Sequence, residues 1–352
     1  MKIFNVCIVC PCYNEALFLP SFIEALRSQS VFFTEKFNVK VIFVDGLSDD
    51  GSYEFLSQVS SADDNFHVIV NEERFVSNAL NYAVDYIKAY NPDYFIRMDM
   101  HAIYPQDYVS SLIAGIESMI DSGVKVGNYG GVVNTLPSSN SLDAIVISKV
   151  LSSKFGVGTS SFRTGVQERV SVDTVPFGCF PINVFDDVGL FDIELIRNQD
   201  DEYNGRLKLN GYEIILDPRI SVDYFARNSF SKVYDMFFQY GYYKPFVNLK
   251  LGRPASVRQF APPFFVLALF FSFLYSFFSV VPSVSLLFIY LVFSLIFTLK
   301  EMRFFSEFNF LNKFIYSFIC LFIVHASYGY GFLRGFIDVF LKRKPSISNS
   351  SR

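Results

Sequence analysis

Residues 264–299 contain no Asp, Glu, Lys or Arg. A stretch so long and so free of charge has few folded destinations. The hydrocarbon core of a bilayer, about 30 Å thick, is crossed by roughly 20 helical residues rising about 1.5 Å each. Residues 264–281 and 283–299 each have the length for one crossing, and Pro282 stands between them in an uncharged turn. With Arg258 before the pair and Lys300 and Arg303 after it, the pattern predicts a hairpin whose two ends face the cytosol. Residues 227–258 carry six basic side chains (Arg227, Lys232, Lys244, Lys250, Arg253, Arg258) against one acid, Asp235, a bias suited to anionic membrane lipids. A third apolar tract, 314–333, contains His325 and is followed by Lys342-Arg343-Lys344. A full crossing there would place the basic cluster outside, against the positive-inside rule, so crossing and interfacial or re-entrant packing both stay open. Residues 346–352 form a polar tail expected to be disordered.

The first 225 residues differ in kind, with mixed polarity and short apolar runs. At 352 residues the chain exceeds one ordinary core, so at least two parts are expected. Met1-Lys2 leads straight into the strand-like residues 3–10, so no cleaved signal is expected, and the N-terminal part is expected to stay in the cytosol. The five cysteines, Cys7, Cys10, Cys12, Cys179 and Cys320, are then expected as reduced thiols. Cys7, Cys10 and Cys12 lack a second Cys or His cluster to complete a zinc site. A net charge of -4 argues against nucleic acid as partner.

Val6-Cys7-Ile8-Val9-Cys10 is a continuous apolar run of the kind buried on both faces of a parallel sheet. A helix follows with Phe18, Phe22, Ile23 and Leu26 on one side and Pro20 near its first turn. Strands at 39–44, 66–70 and 94–98 alternate with helices beginning near Tyr53, at 77–90 and at 107–122, the last stopped by Gly123. Four β-α units in succession predict a largely parallel, doubly wound α/β sheet. Three strand ends carry polar signals: Tyr13-Asn14-Glu15, Asp45 with Asp50, and Asp99 with His101. Such ends face one crevice in a doubly wound sheet.

No Gly-x-Gly-x-x-Gly follows the first strand and no Walker lysine is present, so the usual phosphate-binding signatures do not fit. An acidic strand end receives a diphosphate only with a divalent cation between them. Carboxylates favour Mg²⁺ or Mn²⁺, and an imidazole beside them tilts the choice toward Mn²⁺. A metal-bridged nucleotide diphosphate is the natural guest. Asp99 and His101 also have a plain structural explanation, as a helix cap and a loop histidine.

Pro11-x-Tyr13-Asn14-Glu15, then Val44-Asp45-Gly46-x-Ser48-x-Asp50-Gly51-Ser52, then Asp99-x-His101 resemble, in order, the motifs of the family 2 glycosyltransferases with the GT-A fold. Arg97-Met98-Asp99-Met100-His101-Ala102-Ile103-Tyr104-Pro105 is similar to a subgroup that builds succinoglycan-type exopolysaccharides. The resemblance runs to about residue 250 and loosely beyond. It implies that Pro11, Tyr13, Glu15 and Asp45 contact the base and ribose of a nucleotide sugar, with Asp50 and Arg74 as further donor-side candidates. It implies that Asp99 binds the metal, with His101 replacing a second carboxylate. Asp45 as a turn residue and Glu15 as a helix-terminal acid are the simpler alternatives.

Further along, Asp173 and Gly178 resemble the subgroup's loops around donor sugar and acceptor. Asn198-Gln199-Asp200-Asp201-Glu202 opens a helix ending at Gly211. The resemblance makes Asp200 the catalytic base, with Gln199 where the family has Glu and Asp201 as a neighbouring acceptor-side candidate. Gln239-Tyr240-Gly241-Tyr242-Tyr243-Lys244 lacks the Arg and Trp of the processive Gln-x-x-Arg-Trp signature. A single-transfer enzyme is therefore expected, with Gln239 as an acceptor or donor-sugar candidate and Tyr242 and Tyr243 as sugar-stacking or membrane-interface candidates. The expected organisation is a catalytic domain over 1–225, a juxtamembrane segment over 226–258, a membrane domain over 259–341 and a tail over 342–352. The expected activity is inverting transfer from a UDP-hexose such as UDP-glucose to a polyprenyl-linked glycan, at the cytoplasmic (inner) membrane, in exopolysaccharide, capsule or envelope synthesis. The alternatives are a transferase charging polyprenyl phosphate directly, and an inactive sugar-nucleotide sensor.

Overall fold

The computed structural model describes residues 2–346. The expected tail therefore lies, from residue 347 on, outside the described residues. The chain divides into two compact units, residues 1–134 with 165–224, and residues 135–164 with 225–352. This differs from the expected unbroken 1–225 domain, because 135–164 clusters with the C-terminal helices.

The first unit is built on a mixed sheet. Its strands in chain order are β1 (Phe4–Cys12), β2 (Phe37–Asp45), β3 (Phe66–Val70), β4 (Tyr94–Arg97), β5 (Ala102–Ile103), β6 (Val126–Leu136), β7 (Val170–Ser171), β8 (Cys179–Pro181) and β9 (Glu213–Phe225). The spatial order is β3-β2-β1-β4-β8-β6-β9-β5, with β7 against β9. β1 pairs in parallel with β2 and β4, and β2 with β3. This is the Rossmann-like half expected from four β-α units. Beyond β4 the pairing turns antiparallel, β4 with β8 and β8 with β6. The sequence showed only the parallel half, because β5, β7 and β8 are too short to carry a period.

β1 is buried almost throughout, as its unbroken apolar run requires. Cys7 lies on the opposite face of β1 from Cys10 and Cys12, since strand side chains alternate, and all five cysteines are buried thiols. Burial alone pushes the Cys7 thiol up to about 12, against a small opposing effect of Lys40, which makes it inert.

Register sets up the site. Cys12 is level with Asp45, and Asp45 with Val70, so the loops leaving β1, β2 and β3 emerge side by side. β4 stops earlier, Arg97 lying level with Val9. The turn after it therefore starts inside the row of strand ends.

The second unit holds the long helices. Three are long and apolar enough to cross a membrane: Val257–Tyr275, Val281–Glu301 and Phe310–Phe340. The first two replace the expected 264–281 and 283–299 spans. The helix Ala261–Tyr275 ends earlier, and Pro282 lies in the first turn of the next helix instead of the connection, where its missing N–H costs nothing. The helix Phe310–Phe340 has 31 residues and extends beyond the 314–333 tract at both ends. Ile145, Val146, Val150 and Leu151 from the 135–164 segment share a core with Val233, Phe237, Phe297, Leu321 and Val324. Phe264, Phe270, Phe271, Phe273, Phe277 and Phe278 are exposed, a surface that suits lipid and not water.

Candidate active site

The loops after β1 and β2 are clasped together by hydrogen bonds. The Asn14 N–H donates to Ser48 Oγ at 2.9 Å, and the Asp49 N–H returns one to Asn14 Oδ1 at 3.0 Å. The Glu15 N–H donates to Ser52 Oγ at 2.8 Å, and the Ala16 N–H to Asp50 Oδ2 at 2.9 Å. Burial is the largest single effect on Asp50 and opposes its ionisation, but hydrogen bonds from Ser52 and Ala16 together outweigh it and hold the carboxyl below its ordinary range. Asp45 accepts from the Ser48 hydroxyl at 2.6 Å and the Ser48 N–H at 3.0 Å. Asp50 and Asp45 thus shape the loops. Pro11 is buried within β1, and Arg74 sets its guanidinium 5.8 Å from the centre of the Tyr13 ring.

The Asp99 turn has its own pin. The Tyr104 phenol accepts the Asp99 N–H at 2.7 Å and donates to the Asp99 carbonyl at 3.2 Å. Arg97 grips the Asp99 carboxylate with Nε and Nη2, both at 2.9 Å. Burial disfavours the Arg97 cation, yet the Asp99 charge, with Asp200 adding to it, holds its pKa above the ordinary value. Asp99 and Asp200 therefore act on one guanidinium. His101 Nε2 lies 3.1 Å from Glu15 Oε1, and the edge of Phe18 meets the His101 ring at 5.3 Å between centroids.

Asp200 sits in the first turn of the helix Gln199–Leu209, after Asn198 in the left-handed region at φ 59°. Its Oδ1 accepts the Asp201 N–H at 2.9 Å. Glu202 is buried and paired with Arg206, which also donates to the carbonyls of Val188 and Leu190. This use of Glu202 is structural. Gly178 is accounted for by packing: a Cβ there would overlap Asn128 Oδ1. Asp173 lies half-buried beside Thr174, whose hydroxyl accepts from Asn204 at 2.9 Å.

Gln239, Tyr242 and Tyr243 lie in the second unit, on the helix Phe230–Leu251, and are buried there. Tyr242 donates to Asp338 Oδ2 at 2.8 Å. The expectation that Tyr242 and Tyr243 present rings to a sugar or to the membrane interface is corrected on this point. Both rings are buried, and the Tyr242 hydroxyl is taken by Asp338 of the helix Phe310–Phe340, which hydropathy does not reveal.

Arg97, Tyr104 and Phe18 were quoted in motifs or patterns without a role, and their contacts make them part of the site. Backbone strain was a further signal out of reach. Asn14, Leu47, Arg74, Phe177 and Asn198 all have positive φ in loops of this unit. Leu, Arg and Phe give no hint of that in a sequence, although such strain concentrates at functional sites.

The family model of Glycosyl transferase family 2 matches residues 7–162. The succinoglycan biosynthesis protein ExoA of Rhizobium meliloti (strain 1021) is 30% identical over 257 residues, covering 72% of this chain and 73% of that protein. The chain belongs to glycosyl transferase family 2. A second relative of this family 2 chain, from Methanococcus voltae, is 27% identical over 336 residues, 94% of this chain and 97% of its own length. It is a dolichyl N-acetyl-alpha-D-glucosaminyl phosphate 3-beta-D-2,3-diacetamido-2,3-dideoxy-beta-D-glucuronosyltransferase. Among solved structures, the mannosyltransferase PcManGT from Pyrobaculum calidifontis, in complex with GDP-Man and Mn²⁺, aligns with TM-score 0.49 and 15% identity over 68% of this chain and 63% of that one.

Proposed function

We propose that this family 2 member is a membrane-anchored, inverting glycosyltransferase that moves a hexose from a UDP-hexose, such as UDP-glucose, to a lipid-linked glycan during exopolysaccharide or envelope polysaccharide synthesis. The observation that carries the reading is the row of polar strand ends, where Arg97 grips Asp99 at 2.9 Å and Glu15 stands 3.1 Å from His101, in a chain that belongs to family 2.

In the transfer, Asp200 takes the proton of the acceptor hydroxyl as its oxygen bonds to the anomeric carbon, and the bond from that carbon to the nucleoside diphosphate breaks. Tyr13, Glu15, Asp45, Asp50 and Arg74 lie on the donor side, Asp173, Gly178 and Asp201 toward donor sugar and acceptor. No group of three or more His, Cys, Asp or Glu able to hold a metal occurs among the described residues. One carboxylate and one imidazole on a single turn are ligand types that Mn²⁺ or Mg²⁺ accepts. Asp99 and His101 would hold it, and when bound it offsets charge on the leaving diphosphate.

The acceptor class rests on the Methanococcus relative, which by name acts on a dolichyl-phosphate-linked sugar, and on the three apolar helices of this chain. The basic bias of 227–258 supports a cytosolic catalytic unit at the inner membrane. The test is Asp200→Asn, which keeps size and removes proton affinity. The expected result is a fall in kcat of roughly 10² to 10⁴ with UDP-sugar affinity unchanged. Asp201→Asn should be milder. Near wild-type turnover by Asp200→Asn with failure of Asp201→Asn would move the base by one residue.

A further inference from the structure

A hairpin that crosses a bilayer must be free for lipid over about 30 Å, which takes roughly 20 residues in each arm. Here a polar segment clamps one side of its base. The Phe155 ring packs against Phe293 at 4.9 Å and Phe297 at 5.8 Å between centroids, and the Phe155 carbonyl accepts from His325 Nε2 at 2.9 Å. His325 Nδ1 in turn meets the Tyr290 hydroxyl at 2.9 Å, and the Tyr290 and Phe265 rings stack at 5.0 Å. Phe155 belongs to the short helix Lys154–Val157, beside an exposed Lys154, and Lys300 reaches over its ring at 5.9 Å. Polar protein therefore extends up to the level of Phe265 and Tyr290. Above it only about ten residues remain in each arm, to Tyr275 and from Val281, and at about 1.5 Å each they span about 15 Å, half of the hydrocarbon core.

The tip agrees with that length. Residues 276–280, Ser-Phe-Phe-Ser-Val, hold no charge, and Phe277 and Phe278 are 80% and 86% exposed. Emerging beyond a bilayer, that pair would stand in water. In hydrocarbon, backbone groups must be satisfied internally, and here the Ser276, Phe278 and Ser279 N–H groups donate to carbonyls of Ser272, Phe273 and Tyr275. The Val281 N–H donates to Ser279 Oγ, and Ser283 Oγ to the Ser272 carbonyl at 2.8 Å.

We propose that the hairpin dips into the cytosolic leaflet and ends near the bilayer midplane, and that the helix Phe310–Phe340 lies along the same leaflet without crossing. The second half follows from its neighbour. Phe230 meets Tyr316 at 6.0 Å, Phe238 meets Tyr330 at 5.6 Å and Tyr242 bonds to Asp338 at 2.8 Å, so the helices Phe230–Leu251 and Phe310–Phe340 run parallel at one level. The former carries Lys232, Asp235, Lys244 and Lys250, too many charges for a bilayer core, which places both at the interface. Exposed Phe336, Ile337 and Phe340 then face acyl chains, and Lys342-Arg343-Lys344 stays with the anionic leaflet, in keeping with the positive-inside rule. A hairpin that ends at the midplane forms no passage, so the glycan stays on the side where it is built and its export needs a separate transport protein. The proposal rests on the reading of the chain as membrane-anchored with its catalytic unit in the cytosol.

All five native thiols are buried, so single cysteines added to the full chain report sidedness against a low blank. Phe278→Cys and Val280→Cys mark the tip, Lys344→Cys the far end of the third helix, and Ser122→Cys the first unit. A membrane-impermeant maleimide should label Lys344→Cys and Ser122→Cys in inverted vesicles and not in right-side-out ones. Both tip variants should stay unlabelled from either side until the chain is denatured in SDS. A nitroxide on Phe278→Cys, with the chain reconstituted in phosphatidylethanolamine and phosphatidylglycerol vesicles, should meet oxygen far more than a nickel chelate, as a depth of about 15 Å requires. Tip labelling in right-side-out vesicles, or a nitroxide at headgroup depth, shows a crossing hairpin and overturns the proposal. Lys344→Cys labelled in right-side-out vesicles overturns it for the third helix. Tip labelling in inverted vesicles overturns it too, and leaves the exposed Phe face to a second copy of the chain. Ser122→Cys labelled from outside instead defeats the cytosolic placement, while the tip variants still judge the leaflet, so the two failures are told apart. Should one tip variant not fold, the other decides.

Discussion

In the first unit the decisive approaches are between polar side chains at strand ends, Arg97 with Asp99 at 2.9 Å and Glu15 with His101 at 3.1 Å. In the second they are between backbones. A Cβ on Gly241 would overlap the Tyr328 carbonyl oxygen, one on Gly331 that of Phe238, and one on Gly335 that of Tyr242. The helices Phe230–Leu251 and Phe310–Phe340 therefore meet main chain to main chain. The contrast follows from what each contact joins. At strand ends, polar residues gather where ligands and backbone ends need partners. Between these two long helices, small residues let the backbones come close and leave no room for a side chain. Changes at the site should therefore lose chemistry and keep the fold, and changes at the glycines should do the reverse.

The largest effect is expected from Asp99→Ala. Loss of the carboxylate should cut turnover by about 10³-fold or more and abolish Mn²⁺-dependent UDP binding, as removal of a Lewis acid worth several kcal/mol requires. Melting of the detergent-solubilised chain should be little changed. Undiminished metal-dependent affinity by calorimetry would take Asp99 out of the site.

Next comes Gly331→Leu. Its side chain must displace the Phe238 carbonyl, and overpacking of this severity costs about 3 kcal/mol. Thermal unfolding should shift far down, whereas Mn²⁺–UDP binding persists while the chain is folded. Phe273→Leu, on an exposed face of the same unit, serves as the control and should change almost nothing. Equal tolerance of both variants would mean that the helix pair is not held by its glycines.

How far each unit could be read beforehand follows the same divide. β1, β3 and the polar strand ends were legible because strand period and turn chemistry are local, and the boundaries of β3 match residue for residue. The antiparallel half was not, because Cys179–Pro181 and Ala102–Ile103 are too short to announce themselves. Asp99 and His101 were found from spacing, but their partners Arg97 and Glu15 became clear only in three dimensions. In the second unit hydropathy located the apolar helices. It did not show that residues 142–151 join them, since Ile145, Val146 and Val150 look like any buried helix until their neighbours are known. The burial of Tyr242 was hidden for the same reason, since its partner Asp338 lies 96 residues further along the chain.

Arg206→Met probes a side chain of the first unit that supports the fold and takes no part in chemistry. Arg206 bonds to Glu202 and to the carbonyls of Val188 and Leu190, and its loss leaves Glu202 buried without its cation. The expected cost is about 2 to 3 kcal/mol, read as a lower midpoint in denaturant with kcat preserved near wild type where the chain is folded. A fall in kcat without loss of stability would give Glu202 a part in the chemistry.

The smallest expected effect concerns Asp50, and it tests whether the polar loops depend on charge or on hydrogen bonds alone. Asp50 is ionised more easily in the folded chain than in an ordinary peptide, because the hydrogen bonds from Ser52 and Ala16 outweigh the opposing effect of burial. A carboxyl whose folded pKa is depressed contributes stability above its unfolded pKa and loses it as pH falls through the folded value. For Asp50 that contribution is complete above about pH 4 and fades below it. Asp50→Asn keeps the size and one acceptor but has no charge to lose. Exchange of the Ala16 amide should therefore be faster in Asp50→Asn than in wild type at neutral pH, and the two should converge as pH falls below about 4. The difference will be small, since the carboxylate is largely in contact with water and screened by it. A gap in Ala16 protection that stays constant from pH 6 to pH 3 would assign the clasp to hydrogen-bond geometry, with the charge contributing nothing.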